Sequence, residues 1–318
     1  MAGSELLLTL LGGVALLLWG VRMVRTGMTR AFGSQLRTAL TRTSKSRLTA
    51  FIAGVGVAGI LQSSTATALL LASFAGRNLI TLHVALAVML GADVGTTLVA
   101  QIFAFDIKWL WSAAAITGVV LFSVSEDDRT KNVGRIFMGL GLMLLSLTEL
   151  GTVSAAMRAS PTITAMMTAL GNEPVIAVLV AAIITWIAHS SLAIVLFVLS
   201  LAAGGAIGPV LALTLVLGAN LGGAVAPFTA LTGSPVAARR VPLGNLLARG
   251  AVGLAILPFL DWAVVLMQHL SADPGRLVLN FHTAFNLVVA LIFLPLLSPL
   301  GKLVTWLLPT PAGAPDRS

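Results

Sequence analysis

Apolar runs as long as a bilayer is thick follow one another along this chain, and they constrain it more than any motif does. A helical span needs about 20 apolar residues. Such runs cover residues 5–24, 79–103, 107–124, 133–150, 206–230, 241–268 and 277–308, the last interrupted at Pro295 and Pro299. They are continuous rather than alternating, which selects helices over an outer-membrane barrel. Only 9% of the 318 residues are charged and mean hydropathy is +1.01. Soluble domains carry about 25% charged residues, so this chain cannot coat itself against water. The expected fold class is an all-α polytopic membrane protein with room for about eight to ten spans. The run Leu6 to Trp19 lacks a basic n-region and a small-residue cleavage site, so it reads as the first membrane helix rather than a leader.

Two further apolar stretches have an awkward length. Residues 48–76 number 29 and residues 174–203 number 30, too long for one span and too short for two. Each carries a polar cluster near its middle: Gln62-Ser63-Ser64-Thr65 in the first, His189-Ser190-Ser191 in the second. A re-entrant hairpin fits each, because irregular backbone at membrane depth is tolerated where protein buries it. Gln62 and His189 stand 127 residues apart, and so do Gly91 of "LGADVGTT" and Gly218 of "LGANLGG". Two unrelated polar motifs repeating at one spacing argue for internal duplication. Residues 1–124 form repeat 1, with hairpin 48–76 and a broken helix over 79–103. Residues 125–268 form repeat 2, with hairpin 174–203 and a broken helix over 206–230. A C-terminal membrane helix follows over 269–308, then a disordered tail over 309–318.

Threading these elements through a bilayer puts fifteen of the nineteen Lys and Arg residues on one side. Lys108, Arg158 and Arg276 fall on the other, and Arg249 lies within a span. The positive-inside rule makes the basic side cytoplasmic, and the two hairpins then enter from opposite faces. Inverted repeats with polar interruptions meeting near the midplane are the sequence signature of a secondary transporter. Residues 24–47 place Val24, Met28, Phe32, Leu36 and Leu40 on one stripe, with Arg25, Arg30, Arg37, Arg42, Lys45 and Arg47 around it. That pattern predicts an amphipathic helix lying on an anionic membrane surface.

At each hairpin tip, the N–H groups and dipole of the second half-helix attract an anion. Ser63, Ser64, Thr65, Ser190 and Ser191 add hydroxyl donors. Hydroxyl oxygens, the Gln62 amide and carbonyls freed at breaks in Gly91-Ala92-Asp93 and Gly218-Ala219-Asn220 can offer oxygen to a hard cation. The set suits an oxyanion bound together with Na+. Asp93 stands at membrane depth, where a charge is functional by default, with a helix-capping role as the alternative. Thr96 and Thr97 either line the site or back-bond within their helix. Arg249 is expected to snorkel toward the cytoplasm rather than bind the anion, and Asp261 to sit beside Trp262 at the outer interface. His282 and Asn286, four apart on one helix face, are expected to hydrogen-bond between helices. Nothing supports enzyme chemistry: there is no nucleotide loop, metal cluster or nucleophile elbow, and adjacent His189 and Ser190 cannot form a triad. The chain has no cysteine, which excludes disulfides and thiolate metal sites.

The segments "LQSSTATAL" with "GADVGTT", then "HSSLA" with "GANLGG", and finally "FHTAFN" resemble the sodium-dependent phosphate cotransporter family, over residues 5–300. The resemblance implies a bacterial inner-membrane symporter for inorganic phosphate coupled to Na+. It implies no other cofactor, no nucleic-acid partner, and leaves a homodimer open. It points to the branch without a cytosolic C-terminal regulatory domain. Phosphate would then lie on Ser63, Ser64, Thr65, His189, Ser190 and Ser191. Na+ would be held by Gln62, Ser63 and Ser190 at the tips, with Asp93, Thr96, Thr97 and Asn220 on the helices that follow. The sequence departs from the family pattern where Asp93 replaces Asn, His189 replaces Gln and Gly222-Gly223-Ala224 replaces Gly-Thr-Thr. An imidazole can take up a proton near neutral pH, so the alternative is a phosphate exporter, or carrier of another small oxyanion, linked to protons through His189.

Overall fold

The computed structural model describes residues 3–41, 46–77, 79–103 and 109–310, and every regular element among them is helical. Six helices are long and apolar enough to cross a bilayer, seven if one bent pair counts as a span. The count falls below eight because several apolar stretches form helices of only 13 to 15 residues.

The first helix, α1 (Gly3–Thr41), is 39 residues long, about 58 Å at 1.5 Å per residue. No separate surface helix begins after residue 24. The reason is a partner of matching length: α6 (Asp128–Arg158) runs antiparallel beside it. Gly20 faces the Gly139 carbonyl, Gly27 faces that of Asn132, and the Ser146 hydroxyl donates to the Gly13 carbonyl at 2.7 Å. Val24 and Ala31 are therefore buried, and Met28 and Phe32 pack against the core rather than against lipid headgroups. Arg129 stacks on the Phe32 ring. The side chains of Leu36, Arg37 and Leu40, and all of Arg42 and Lys45, lie outside the described residues. So do Lys108 and residues 311–318 of the expected tail. At its start, α6 is capped by Asp127, which accepts from both the N–H and the hydroxyl of Thr130. Those two bonds favour the charged form and hold the Asp127 carboxyl below its ordinary range.

Residues 48–76 resolve into α2 (Arg47–Leu61) and α3 (Ser64–Gly76), and residues 174–203 into α8 (Pro174–Ala188) and α9 (Ser191–Ala203). Before α8 comes α7 (Pro161–Gly171), bent 104° from it. Between the two pairs, α5 (Leu110–Val124) packs on α6 through Gly118 and Gly134.

The predicted breaks in 79–103 and 206–230 are absent. Both α4 (Leu82–Ile102) and α10 (Pro209–Ala230) run unbroken through their glycine motifs, and α10 also accommodates Pro227. The glycines serve contact instead. A Cβ on Gly91 would strike the Phe51 carbonyl, and one on Gly54 the Val88 carbonyl, so α2 and α4 touch backbone to backbone. In the second half, Gly218 meets the Val178 carbonyl and Gly222 that of Ala182, so α8 and α10 repeat the arrangement. Both central helices are buried over most of their length, all round α4 from Ala85 to Thr97. The expected span 241–268 is α11 (Val236–Ile256), a 3-10 turn at Leu257–Phe259 and α12 (Leu260–Leu270). The last expected span divides at Pro295 into α13 (Pro274–Phe293) and α14 (Leu297–Leu307), while Pro299 fits inside the first turn of α14.

Gly91→Ala should lower thermal stability in detergent by the equivalent of about 1–3 kcal/mol, as overpacking does. Gly56→Ala, whose added methyl meets nothing within 4 Å, should be neutral or gain up to about 1 kcal/mol from reduced chain entropy. Equal melting temperatures for the two variants would contradict the α2–α4 contact.

Candidate functional site

The two helices of each short pair are joined by two residues. The first of the two takes a left-handed backbone, Gln62 at φ 50° and His189 at φ 52°. These are the only non-glycine residues with positive φ among those described. Glycine is the usual occupant of such a helix C-terminus, and a side chain there costs about 1–2 kcal/mol. A strained position filled by a large polar group points to use of that group. The second residue is extended and caps the next helix. Ser63 Oγ accepts from the Ala66 N–H at 3.1 Å, and Ser190 Oγ from the Ala193 N–H at 3.3 Å. Ahead of those bonds, the N–H groups of Ser64, Thr65, Ser191 and Leu192 have no acceptor within their own helices.

Both turns open on one small cavity. Gln62, Ser63, Ser64 and Thr65 line it from the first half, and His189, Ser190, Ser191 and Leu192 from the second. Thr96 of α4 and Arg25 of α1 complete it. The centre of a water-sized sphere can move through about 10 Å³ of it, room for about one water. Gln62 is 7% exposed and its Oε1 has no hydrogen-bond partner. Its counterpart His189 is exposed at the rim. The His189 Nδ1 lies 3.1 Å from the Ile187 carbonyl, which can only accept, so this nitrogen carries the proton.

Arg25 is the residue that the sequence reading misplaced. It was grouped with the surface cations, yet its Nε is buried without a partner and it faces the two serine turns. Its only sequence signal was a position on a stripe that continues the first membrane helix without interruption.

Asp93 and Arg249 lie behind the cavity, and both correct expectations. Asp93 sits in mid-helix, not at a cap, and is 2% exposed. Arg249 does not snorkel: it is 3% exposed, and one guanidinium nitrogen lies 3.1 Å from Asp93 Oδ1. Its other terminal nitrogen donates to Asn220 Oδ1. Asn286 donates to the same oxygen at 3.1 Å, and the Asn220 amide donates to His282 Nδ1 at 3.1 Å. The expected interhelical bonds of His282 and Asn286 are thus present. Thr96 and Thr97 both back-bond, to the Asp93 and Val94 carbonyls, but only Thr96 also lines the cavity. Ser64 and Asn245 stand beside the Asp93 carboxylate, which puts the ion pair next to the serine turn. Asp261 is exposed beside exposed Trp262.

The predicted cation ligands therefore divide. Gln62, Ser63, Thr96 and Ser190 gather at the cavity, and Gln62 Oε1 is a buried acceptor lacking a donor. Asp93 and Asn220 already hold a guanidinium, Thr97 points its hydroxyl to its own helix, and no helix break frees a carbonyl at Gly91-Ala92-Asp93 or Gly218-Ala219-Asn220. That second group does not fit Na+ as the chain is folded.

The family described as Na+/Pi-cotransporter matches residues 16–152, which bears out the resemblance read from the sequence over that part of the chain. A protein of Escherichia coli (strain K12) named "Putative inorganic phosphate export protein YjbB" is 40% identical over 296 residues, 93% of this chain and 54% of that protein. Its namesake in Salmonella typhimurium is 41% identical over 91% of this chain and 53% of its own length. The chain thus spans about half the length of these curated relatives. A Bacillus subtilis protein named "Uncharacterized protein YqeW" is 27% identical over 95% of this chain and 99% of its own length. No solved structure matches the chain.

The meeting of the two turns can be tested directly, because the chain has no cysteine of its own. A Thr65→Cys/Ser191→Cys pair should be bridged by a short thiol cross-linker, giving joined fragments by mass spectrometry after proteolysis. A Thr65→Cys/Leu270→Cys pair should not. Failure of the first pair with both thiols reactive would separate the turns.

Proposed function

From the Na+/Pi-cotransporter match over residues 16–152, we propose that this chain is a carrier of inorganic phosphate, with the cavity between the two serine turns as its anion site. One observation carries the reading: two capped helix N-termini and an arginine with no acidic partner among the described residues converge on a single small cavity. Phosphate is a tetrahedral anion that accepts from several directions at once. The free N–H groups and hydroxyls of Ser63, Ser64, Thr65, Ser190 and Ser191 supply donors from opposite sides. Arg25 supplies the fixed charge and a planar fork of donors, and His189 borders the entrance. A space for one water is too small for phosphate, so binding requires the turns to move apart. Relative motion of repeats 1–124 and 125–268, with 48–76 and 174–203 as re-entrant hairpins, provides that movement in an inverted-repeat carrier. The C-terminal α13 packs against α4 of the first repeat and α9 and α10 of the second, and the basic loops face the cytoplasm of a bacterial inner membrane.

Na+ coupling, which the resemblance implies, is supported at the cavity alone, through Gln62 with the hydroxyls of Ser63, Ser190 and Thr96. Outward movement is the second reading, favoured by the export named for the relatives that are 40–41% identical. Radiolabelled phosphate flux in proteoliposomes, under Na+ or H+ gradients of either sign, separates the two.

Arg25→Gln should reduce that flux about tenfold or more, because a charged hydrogen bond contributes about 1.5–3 kcal/mol. Unaltered flux in a folded variant would remove Arg25 from the site. His189→Gln should flatten any pH dependence beyond phosphate's own ionisation while keeping substantial flux. Identical profiles would leave His189 as a hydrogen-bonding group only and remove proton linkage through it.

A further inference from the structure

We propose that Arg249 is a tethered cation. Its guanidinium permanently holds the position between Asp93 and Asn220 where a free monovalent cation would otherwise bind. Asp93 on α4 and Asn220 on α10 are themselves 127 residues apart and occupy the same place in the two glycine motifs. One guanidinium from α11 bridges this related pair, with one nitrogen on Asp93 Oδ1 and the other on Asn220 Oδ1.

The chemistry makes the tether close to irreversible. A carboxylate with 2% exposure is costly unless a cation balances it or a proton neutralises it, and here the guanidinium lies on it. Arginine stays charged under all ordinary conditions and offers a rigid fork of donors, so it cannot leave or be neutralised as a diffusible ion or a lysine could. Asn220 is held for this contact. Its amide nitrogen is engaged by His282 and the Val216 carbonyl, which turns its oxygen to the guanidinium, where Asn286 also donates. Asp93 Oδ2 and the Asn245 amide make no close hydrogen bond, though Asn245 and Ser64 stand beside the carboxylate. Oxygens from Asp93, Asn220 and Asn245 would therefore be available to a small hard cation once the guanidinium was withdrawn. The inference rests on the phosphate-carrier reading only for its consequence: any Na+ coupled to transport is bound at the cavity, and Asp93 takes no part in ion stoichiometry.

The test uses the full chain in detergent, without phosphate, with melting temperature followed from Na+-free buffer to about 0.2 M Na+ against choline at equal ionic strength. Arg249→Gln, which keeps the carboxylate and removes its cation, should gain a Na+-specific rise of roughly 3–5 °C. Arg249→Gln/Asp93→Asn should lose that rise, and Asp93→Asn alone should leave the parent's Na+ response unchanged. The proposal is overturned if Asp93→Asn diminishes the Na+ response of the parent in melting or in flux. It is equally overturned if folded Arg249→Gln shows no response, or if that variant folds only when Asp93 is also neutralised, whatever the Na+ concentration. Should Arg249→Gln not fold under any condition, the Asp93→Asn comparison still decides. Melting involves no phosphate, so a Na+ response in Arg249→Gln without phosphate flux in any variant would sink the carrier reading and leave the tether standing.

Discussion

Backbone contact between helices is what the rest of this structure depends on. Lipid tails are as apolar as leucine, so burial alone does not drive membrane helices together, and close packing must do so. Gly54 and Gly91 bring α2 against α4, and Gly218 and Gly222 bring α10 against α8, at distances that admit no side chain. The short helices α2 and α8 could not hold their places independently, being only 15 residues each. Docked on α4 and α10, they deliver Gln62 and His189 to one cavity. A methyl group added at Gly91 therefore disturbs the anion site without touching it.

The turns themselves show how local strain is tolerated. Two left-handed residues that are not glycine cost a few kcal/mol together. The serine that follows each of them returns part of that by capping the next helix. The same two-residue device thus joins two helices, frees N–H groups and seats a large polar side chain beside them. Its two copies differ in environment. Gln62 is buried with an orphan oxygen, whereas His189 is exposed at the rim.

How much of this was legible in the sequence depended on whether one residue type implied one structure. Run length did: 29 and 30 apolar residues around polar clusters foretold two short helices joined at Gln62-Ser63 and at His189-Ser190. Glycine did not. "GADVG" and "GANLG" suit either a broken helix or a tight helix contact, because both need a missing side chain, and only the facing carbonyls of Phe51 and Val178 decide for contact. Charge was ambiguous in the same way. Arg25 continues a basic stripe in sequence, and Arg249 stands close enough to a helix end to snorkel. Their partners lie on other helices, at separations of 37 residues or more from Gln62 and 156 from Asp93, where periodicity carries no information.

Charge balance then links the two polar clusters. The Asp93–Arg249 pair is neutral as a unit and lies next to the serine turn, so it contributes little net field to the cavity while satisfying two ions that could not be buried alone. Arg25 is left as the uncompensated charge beside the turns, with Arg22 near it on the same helix. A singly charged phosphate at the proposed site would make the filled cavity neutral. In the proposed carrier, a cation on α1, outside both short helix pairs, leaves those pairs to rearrange around the anion without dragging the charge through the membrane. Without Arg249, the same proposed site would have to balance Asp93 as a second buried charge.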